Sequence, residues 1–316
     1  MEMENDIQVD LVYLWVNGND PEWRKRRKQF SKDNYDDSGI DSEARYKDNG
    51  ELKYSLRSVE MYAPWIRKIF IVTDNQVPEW LDVTHPKIQI VDHKEILPQE
   101  TLPTFNSVVI EHALHRIPGL SEYFLYANDD MFFNKRVEIS DFFYSDHLPV
   151  IRLSRRPFRK LWYWYILNVK KKTLNNYNHT IRNAAILVEK KFGRYIGHKT
   201  HHNIDAYRKS DMKHCYDIFK DEIEPTLLNH IRSNSDIQRN LYTYVAMMEK
   251  RGHVKFVTHT TSFRCHIEHP HYLHDLERSN PMLFCLNDSQ FADEKSHSLV
   301  SDFLEKRFPQ KSQFEK

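Results

Sequence analysis

Glycine and cysteine are scarce in this chain, and neither sign of charge is in excess. Seven glycines in 316 residues exclude a collagen-like repeat, a glycine linker and phosphate loops built from several glycines. Forty-six Lys and Arg against 45 Asp and Glu leave a formal net charge of +1, which argues against holding nucleic acid by bulk charge. Cys215, Cys265 and Cys285 are widely spaced and form no CxxC, a usage that fits a reducing compartment better than a disulfide framework. No run approaches the roughly 18–20 apolar residues that span a bilayer. The longest apolar-aromatic stretch, 161–167, is short and is followed by three lysines at 170–172. The first ten residues are acidic and lack the apolar centre of a signal peptide. Together these absences predict a cytoplasmic protein, with contact to the inner membrane face left open.

What the chain does hold is 40% hydrophobic residues, enough for a sizeable core, together with 18 His, 17 Tyr and 18 Phe. The length suggests two domains' worth of chain, or one α/β core with a large insertion. Apolar runs rich in β-branched and aromatic residues at 9–16, 68–73, 88–92 and 123–127 read as strands, and 21–30, 51–62 and 107–116 as helices. That alternation predicts an α/β fold with a mainly parallel sheet over 1–150. The part from 151 to 316 is richer in helix, His, Lys and Arg, with helices expected at 180–192 and 237–250 and a basic-aromatic insertion over about 151–180. The two parts are expected to pack as one catalytic unit.

Ligands gather at the carboxyl ends of parallel strands, and there the chain carries Asn17 and Asp20, Asp74, Asp92, and the run Asn128-Asp129-Asp130. Adjacent carboxylates supply hard oxygens for Mg²⁺ or Mn²⁺ beside a diphosphate, although a bare acidic pair also serves as a turn or helix cap. Arg45 and Arg57 have the fork that grips phosphate oxygens, and Asn49 stands where an N-cap for the helix carrying Arg57 would be. The cluster His198, His201, His202 offers imidazoles that titrate near neutrality. No cysteine lies near enough for a structural zinc site. A second cluster, Cys265, His266, His269, His271 and His274, follows no standard metal spacing.

In that order the segments resemble the Stealth family. The run Asp10-Leu-Val-Tyr-Leu-Trp-Val-Asn-Gly-Asn-Asp-Pro21 resembles its first conserved region. Residues 45–80, with Leu-Arg-Ser-Val-Glu60 and Ala-Pro-Trp65, resemble the second, which continues through Asn106 to Asp130. The span 183–236 looks like the third, and the segment around Phe284-Cys-Leu-Asn-Asp288 like the fourth. The family includes bacterial capsular and exopolysaccharide phosphotransferases and the animal N-acetylglucosamine-1-phosphotransferase. The resemblance implies transfer of a sugar 1-phosphate from a nucleotide sugar, such as a UDP-sugar, to a hydroxyl of an acceptor oligosaccharide or growing capsule polymer, on a GT-A-like core completed by the helix-rich part. A partner glycosyltransferase would supply any further sugar of the repeat.

On that reading Asp129, Asp130 and Asp288 hold Mg²⁺ or Mn²⁺, and Arg57 and Arg232 face the phosphates. His201, or else His198 or His202, takes the acceptor's proton. Trp15, Asn17, Gly18, Asp20, Arg45, Asn49, Asp74, Asn106 and Asn128 would surround the substrates. The family's histidine element is often a simpler His-x-x-His or His-x-Pro-His, so which histidine acts stays open. The lumenal inserts and membrane spans of the animal enzymes are absent, which points to the bacterial, cytoplasmic type. Two other readings compete: a conventional metal-dependent glycosyltransferase on the same core, and a non-catalytic carbohydrate-binding protein using the aromatic surface.

Overall fold

The computed structural model describes residues 7–30, 46–269 and 271–316. The central sheet is built from β1 (Val9–Leu14), β2 (Ile69–Thr73), β3 (Ile88–Asp92) and β4 (Tyr123–Asn128). Its order is β3-β2-β1-β4, all parallel, and one further strand, Asp205–Arg208, lies antiparallel on β4. The strands are apolar without a break because both faces are covered. Val12, Leu14, Phe70, Val72, Phe124 and Tyr126 point to one face. There they meet helices Ser107–Ala113, Asn176–Phe192, Lys209–Ile218 and Asn240–Met248. The alternate residues Leu11, Tyr13, Ile69, Ile71, Leu125 and Ala127 point to the other face.

That second face is covered by helix Glu51–Tyr62, whose Leu52, Leu56 and Val59 recur at i, i+4 and i+7. Ser55 and Ser58 keep its other contacts close. Ser55 donates to the carbonyl of Met131, and the Phe133 amide donates to Ser58 Oγ at 3.1 Å. The start of this helix differs from expectation. Gly50, at φ 83°, takes the capping position because that left-handed conformation is costly for a residue with a Cβ. Asn49 instead bonds the Glu51 carboxylate through both its amide and its side chain.

The remaining strands form two small sheets that tie the halves of the chain together. Met131–Phe133 pairs antiparallel with Leu283–Asn287, which lies parallel to Ser262–His266. Val150–Ser154 sits between Lys199–Thr200 and His253–Phe256. Residues after 150 therefore complete sheets begun before it. Helix Asn176–Phe192 starts four residues earlier than the apolar pattern suggests. Asn175 caps it by accepting from the Asn178 amide, and Gly193 ends it at φ 74°.

Because β1 runs to β2 on one side and β4 lies on its other side, the chain reverses direction across the sheet between β1 and β4. This is the switch point at which open α/β sheets bind ligands. Trp15 and Val16 after β1, and Asn128, Asp129 and Asp130 at the end of β4, open onto it. Among the described residues no helix is long and apolar enough to cross a membrane.

Candidate active site

A cavity of about 600 Å³ lies at this switch point, within the range usual for small-molecule sites. Its lining holds the acids Glu51, Glu111, Asp129, Asp130 and Asp288 together with the cations Lys47, Arg159, Lys199, Arg232, Arg239 and Arg264. Most of these acids come from strand ends and a helix start, and most of the cations from the second half of the chain.

Crowded carboxylates behave as their neighbours dictate. Burial, then the charges of Asp130, Glu51 and Asp48, push the Asp129 carboxyl well above the usual carboxylate range. Burial raises Asp130 to about 6 and Glu51 to about 7. Asp130 accepts from the buried thiol of Cys285 at 3.2 Å through Oδ2, while its buried Oδ1 has no partner. Donor atoms of Asp130, His202 and Cys285 all lie within 4.8 Å of one another. The orphaned Asp130 oxygen and the neighbouring Asp129 carboxyl, disfavoured as an anion, are oxygen donors that a divalent cation would satisfy and that fit Mg²⁺ or Mn²⁺, leaving the imidazole free. The grouping differs from the expected Asp129, Asp130 and Asp288. Asp288 lines the same cavity but bonds His297 Nε2 at 2.9 Å and the Ser289 amide.

The histidines separate by environment. His201 is 3% exposed, its Nδ1 lies 2.8 Å from Ser262 Oγ and its Nε2 2.8 Å from Asp205 Oδ1. Both nitrogens face protein, and the residue is not in the cavity wall. His202 is in the wall. Burial, then Arg264, Arg239, His201 and Lys199, lower it to about 3, so its ring is neutral at pH 7. His198 lies outside the wall, with Nδ1 accepting from the Arg156 amide at 2.9 Å.

The arginines separate as well. Arg232 lines the cavity, donates to Ser107 Oγ at 3.0 Å, and leaves its buried Nε without a partner. Arg57 is elsewhere: its guanidinium bonds Glu315 twice at 2.7 Å and the Phe308 carbonyl at 2.7 Å, fastening the C-terminal segment. The expectation that Arg57 faces phosphate gives way to this pairing, because its guanidinium is held against the Glu315 carboxylate and the Phe308 carbonyl and is not part of the cavity lining. Arg45 lies outside the described residues.

Trp15, Asn49 and Asn128 are in the wall as expected. Asn17, Gly18, Asp20, Asp74 and Asn106 are not part of it. A Cβ on Gly18 would lie 1.9 Å from the Tyr46 carbonyl oxygen, so glycine lets the segment carrying Tyr46 close on the cavity. Asp20 caps helix Pro21–Lys28 and accepts from Gln76, whose Oε1 accepts from the Asn17 amide. Asp74 pairs with Arg26 at 2.8 Å. Asn106, fully buried, caps helix Ser107–Ala113 and donates to Asp236 Oδ2 at 2.9 Å, which fixes the loop that carries Arg232.

Sequence reasoning passed over Glu51, Lys199, Arg239 and Arg264. Lys199 sits inside the histidine cluster and Arg239 three residues past Asp236, so proximity to motifs already chosen was the available signal. Arg264 adjoins the Cys265-His266 cluster, but its place in the cavity depends on the pairing of Ser262–His266 with Leu283–Asn287. Arg239 is nearly buried, bonded to Asp205 at 2.6 Å and to Tyr207 at 2.8 Å. It therefore braces the cavity lining more than it offers itself to a ligand.

Family models for Stealth conserved regions 1, 2 and 4 match residues 8–35, 45–151 and 274–316. The capsular polysaccharide phosphotransferase fcs1 of Haemophilus influenzae is 35% identical over 91% of this chain and 80% of its own length. The chain belongs to the Stealth family. The capsular polysaccharide phosphotransferase WcwK of Streptococcus pneumoniae is 32% identical over 99% of this chain and all of that protein. Exopolysaccharide phosphotransferase CpsY of Mycobacterium leprae is 37% identical, but the chain spans only 57% of its length. The solved galactosyltransferase LgtC with donor and acceptor sugar analogs aligns with 96% of each chain at 10% identity and a TM-score of 0.46. The matched Stealth regions supply carboxylates of the cavity: region 2 contains Asp129 and Asp130, and region 4 contains Asp288.

Proposed function

We propose that this Stealth protein transfers a sugar 1-phosphate from a nucleotide sugar to a hydroxyl of an acceptor glycan, building phosphodiester links in capsular or other cell-surface polysaccharide. The observation that carries this reading is the cavity at the switch point, whose lining brings carboxylates and cations together around one space. The names of fcs1 and WcwK, both capsular polysaccharide phosphotransferases, support it.

In this reading the acceptor oxygen attacks the sugar-bearing phosphorus, a new O–P bond forms, and the bond to the bridging oxygen breaks. The nucleoside monophosphate leaves. His202, neutral at pH 7 and in the wall, takes the acceptor's proton; an anionic substrate beside it raises its affinity for that proton. Arg232, with its unpartnered Nε, and Lys199 and Arg264 stabilise the non-bridging oxygens. Mg²⁺ or Mn²⁺ held by Asp130 with Asp129 would supply charge neutralisation at the diphosphate. Trp15, Asn49 and Asn128 border the donor, and residues 1–150 and 151–316 act as one catalytic unit. The enzyme works in the cytoplasm at the inner membrane face, with a partner transferase where the repeat needs another sugar.

Incubation with a panel of UDP-sugars and other nucleotide sugars, short acceptors and divalent metal, read by mass spectrometry, tests the reading. The expected product is the acceptor plus one hexose or N-acetylhexosamine phosphate. Binding of glycans with no turnover of any donor would instead support a carbohydrate-binding protein.

A further inference from the structure

Six of the fourteen exposed large apolar residues among the described positions fall within twelve consecutive ones, 158–169. They are Phe158, Leu161, Trp162, Trp164, Tyr165 and Val169, with exposures of 74, 66, 42, 59, 40 and 52%. The segment is helical, an α-helical stretch Arg159–Trp164 running into a wider turn Tyr165–Val169. Its inner side is fixed by polar contacts. Arg159 donates to Asn178 Oδ1 at 2.7 Å and to the buried Tyr163 hydroxyl at 3.1 Å, and Lys160 pairs with Glu189. The helix is thus moored to Asn176–Phe192 with its bulky apolar residues turned outward. Burying such a face in the protein would have reversed this arrangement.

Charge on the same segment is of one sign. From 147 to 188 the sequence has no Asp or Glu, while Arg155, Arg156, Lys160, Lys170, Lys171 and Lys172 flank the apolar residues and are exposed. Aromatic and aliphatic side chains projecting between cations match a bilayer interface, where rings sit at headgroup level and Lys and Arg meet anionic lipid. A soluble anionic polymer would use the cations and the flat rings but gives no reason to expose Leu161 and Val169. The helix also borders the active site, since Arg159 and then Asn175, Asn176 and Asn178 line the cavity.

We infer that the helix over 158–169 is a membrane-surface anchor, its apolar side chains entering the headgroup region of an anionic bilayer and its flanking cations holding the phosphates, with the cavity mouth set beside the lipid. This rests on the proposed transfer only for its purpose, delivery of an acceptor growing at the membrane; the anchoring itself is independent of turnover.

Flotation of the full chain with vesicles of phosphatidylcholine alone and with 30 mol% phosphatidylglycerol tests it (about a third anionic lipid, enough to draw on charge). The wild-type chain should float with the anionic vesicles, less with the neutral ones, and less again at high salt. The charge reversal K170E/K171E/K172E should lower binding about a hundredfold, and W162S/W164S at least about tenfold. Both variants should still act on a short soluble acceptor, so a failed anchor and a failed transferase reading give different results. Absence of wild-type flotation overturns the anchor. So does unchanged flotation of both variants, retention of a soluble anionic polymer without vesicle binding, or a dimer that buries Trp162 and Trp164.

Discussion

Arg57 grips Glu315, 258 residues further along the chain, through two bonds of 2.7 Å. The two side chains are 10% and 4% exposed, and the same guanidinium holds the Phe308 carbonyl. Arg57→Gln should therefore lower stability by about 1.5–3 kcal/mol in urea unfolding while leaving kcat within a few-fold. A drop in kcat of a hundredfold or more with unchanged stability would return Arg57 to the phosphate.

Asp129 makes the opposite trade. Its carboxyl is raised by burial and by three neighbouring carboxylates, so it costs the folded chain stability that accumulates as pH rises from the ordinary carboxylate pKa of about 4 towards the raised folded value. That cost disappears only as pH falls below the ordinary value, where the unfolded chain is protonated too. At neutral pH without metal, Asp129→Asn should raise the melting midpoint by about 2–4 °C. The same variant should lose the stabilisation that Mg²⁺ or Mn²⁺ gives the wild type, and most of its activity. A wild-type midpoint indifferent to divalent metal, or to EDTA, would remove the cation from the site.

The adjacent histidines should part in kinetics. His202→Ala should lower kcat about 10²–10⁴-fold, the usual worth of a positioned base, with little change in midpoint. His201→Ala should show mainly as lost stability, since its ring lies between Ser262 and Asp205. The reverse pattern would move the base to His201.

Lys199 is lowered to about 8 by burial and then by Arg264, Arg159 and Arg156. Below that pH it is charged and faces the cavity; above it the free enzyme loses one cation. The donor KM should rise about tenfold as pH passes from 7 to 9, and Lys199→Arg, charged throughout, should flatten the profile. An identical rise in that variant would place the titration on another group.

The four parallel strands could be read in the sequence because a sheet covered on both faces must be apolar without a break, as β1 and β2 are. The strand Met131–Phe133 could not, being three residues long directly after the Asp129-Asp130 turn. Asp205–Arg208 shows no alternation because its Asp205 and Arg208 serve ion pairs. The cavity's Asp129 and Asp130 were legible as a strand end, whereas the place of cations such as Arg264 depends on tertiary pairing. Nothing near Arg57 announces Glu315, and no spacing rule separates His201 from His202 when they are neighbours whose surroundings come from distant strands.

The central claim is transfer of the phosphate with the sugar, and the fate of the nucleotide tests it most directly. Phosphorus NMR on a reaction of the purified chain with a nucleotide sugar and a short acceptor should show nucleoside monophosphate accumulating in step with a new phosphodiester signal. Release of nucleoside diphosphate with no phosphodiester would contradict the account and make the protein a conventional glycosyltransferase.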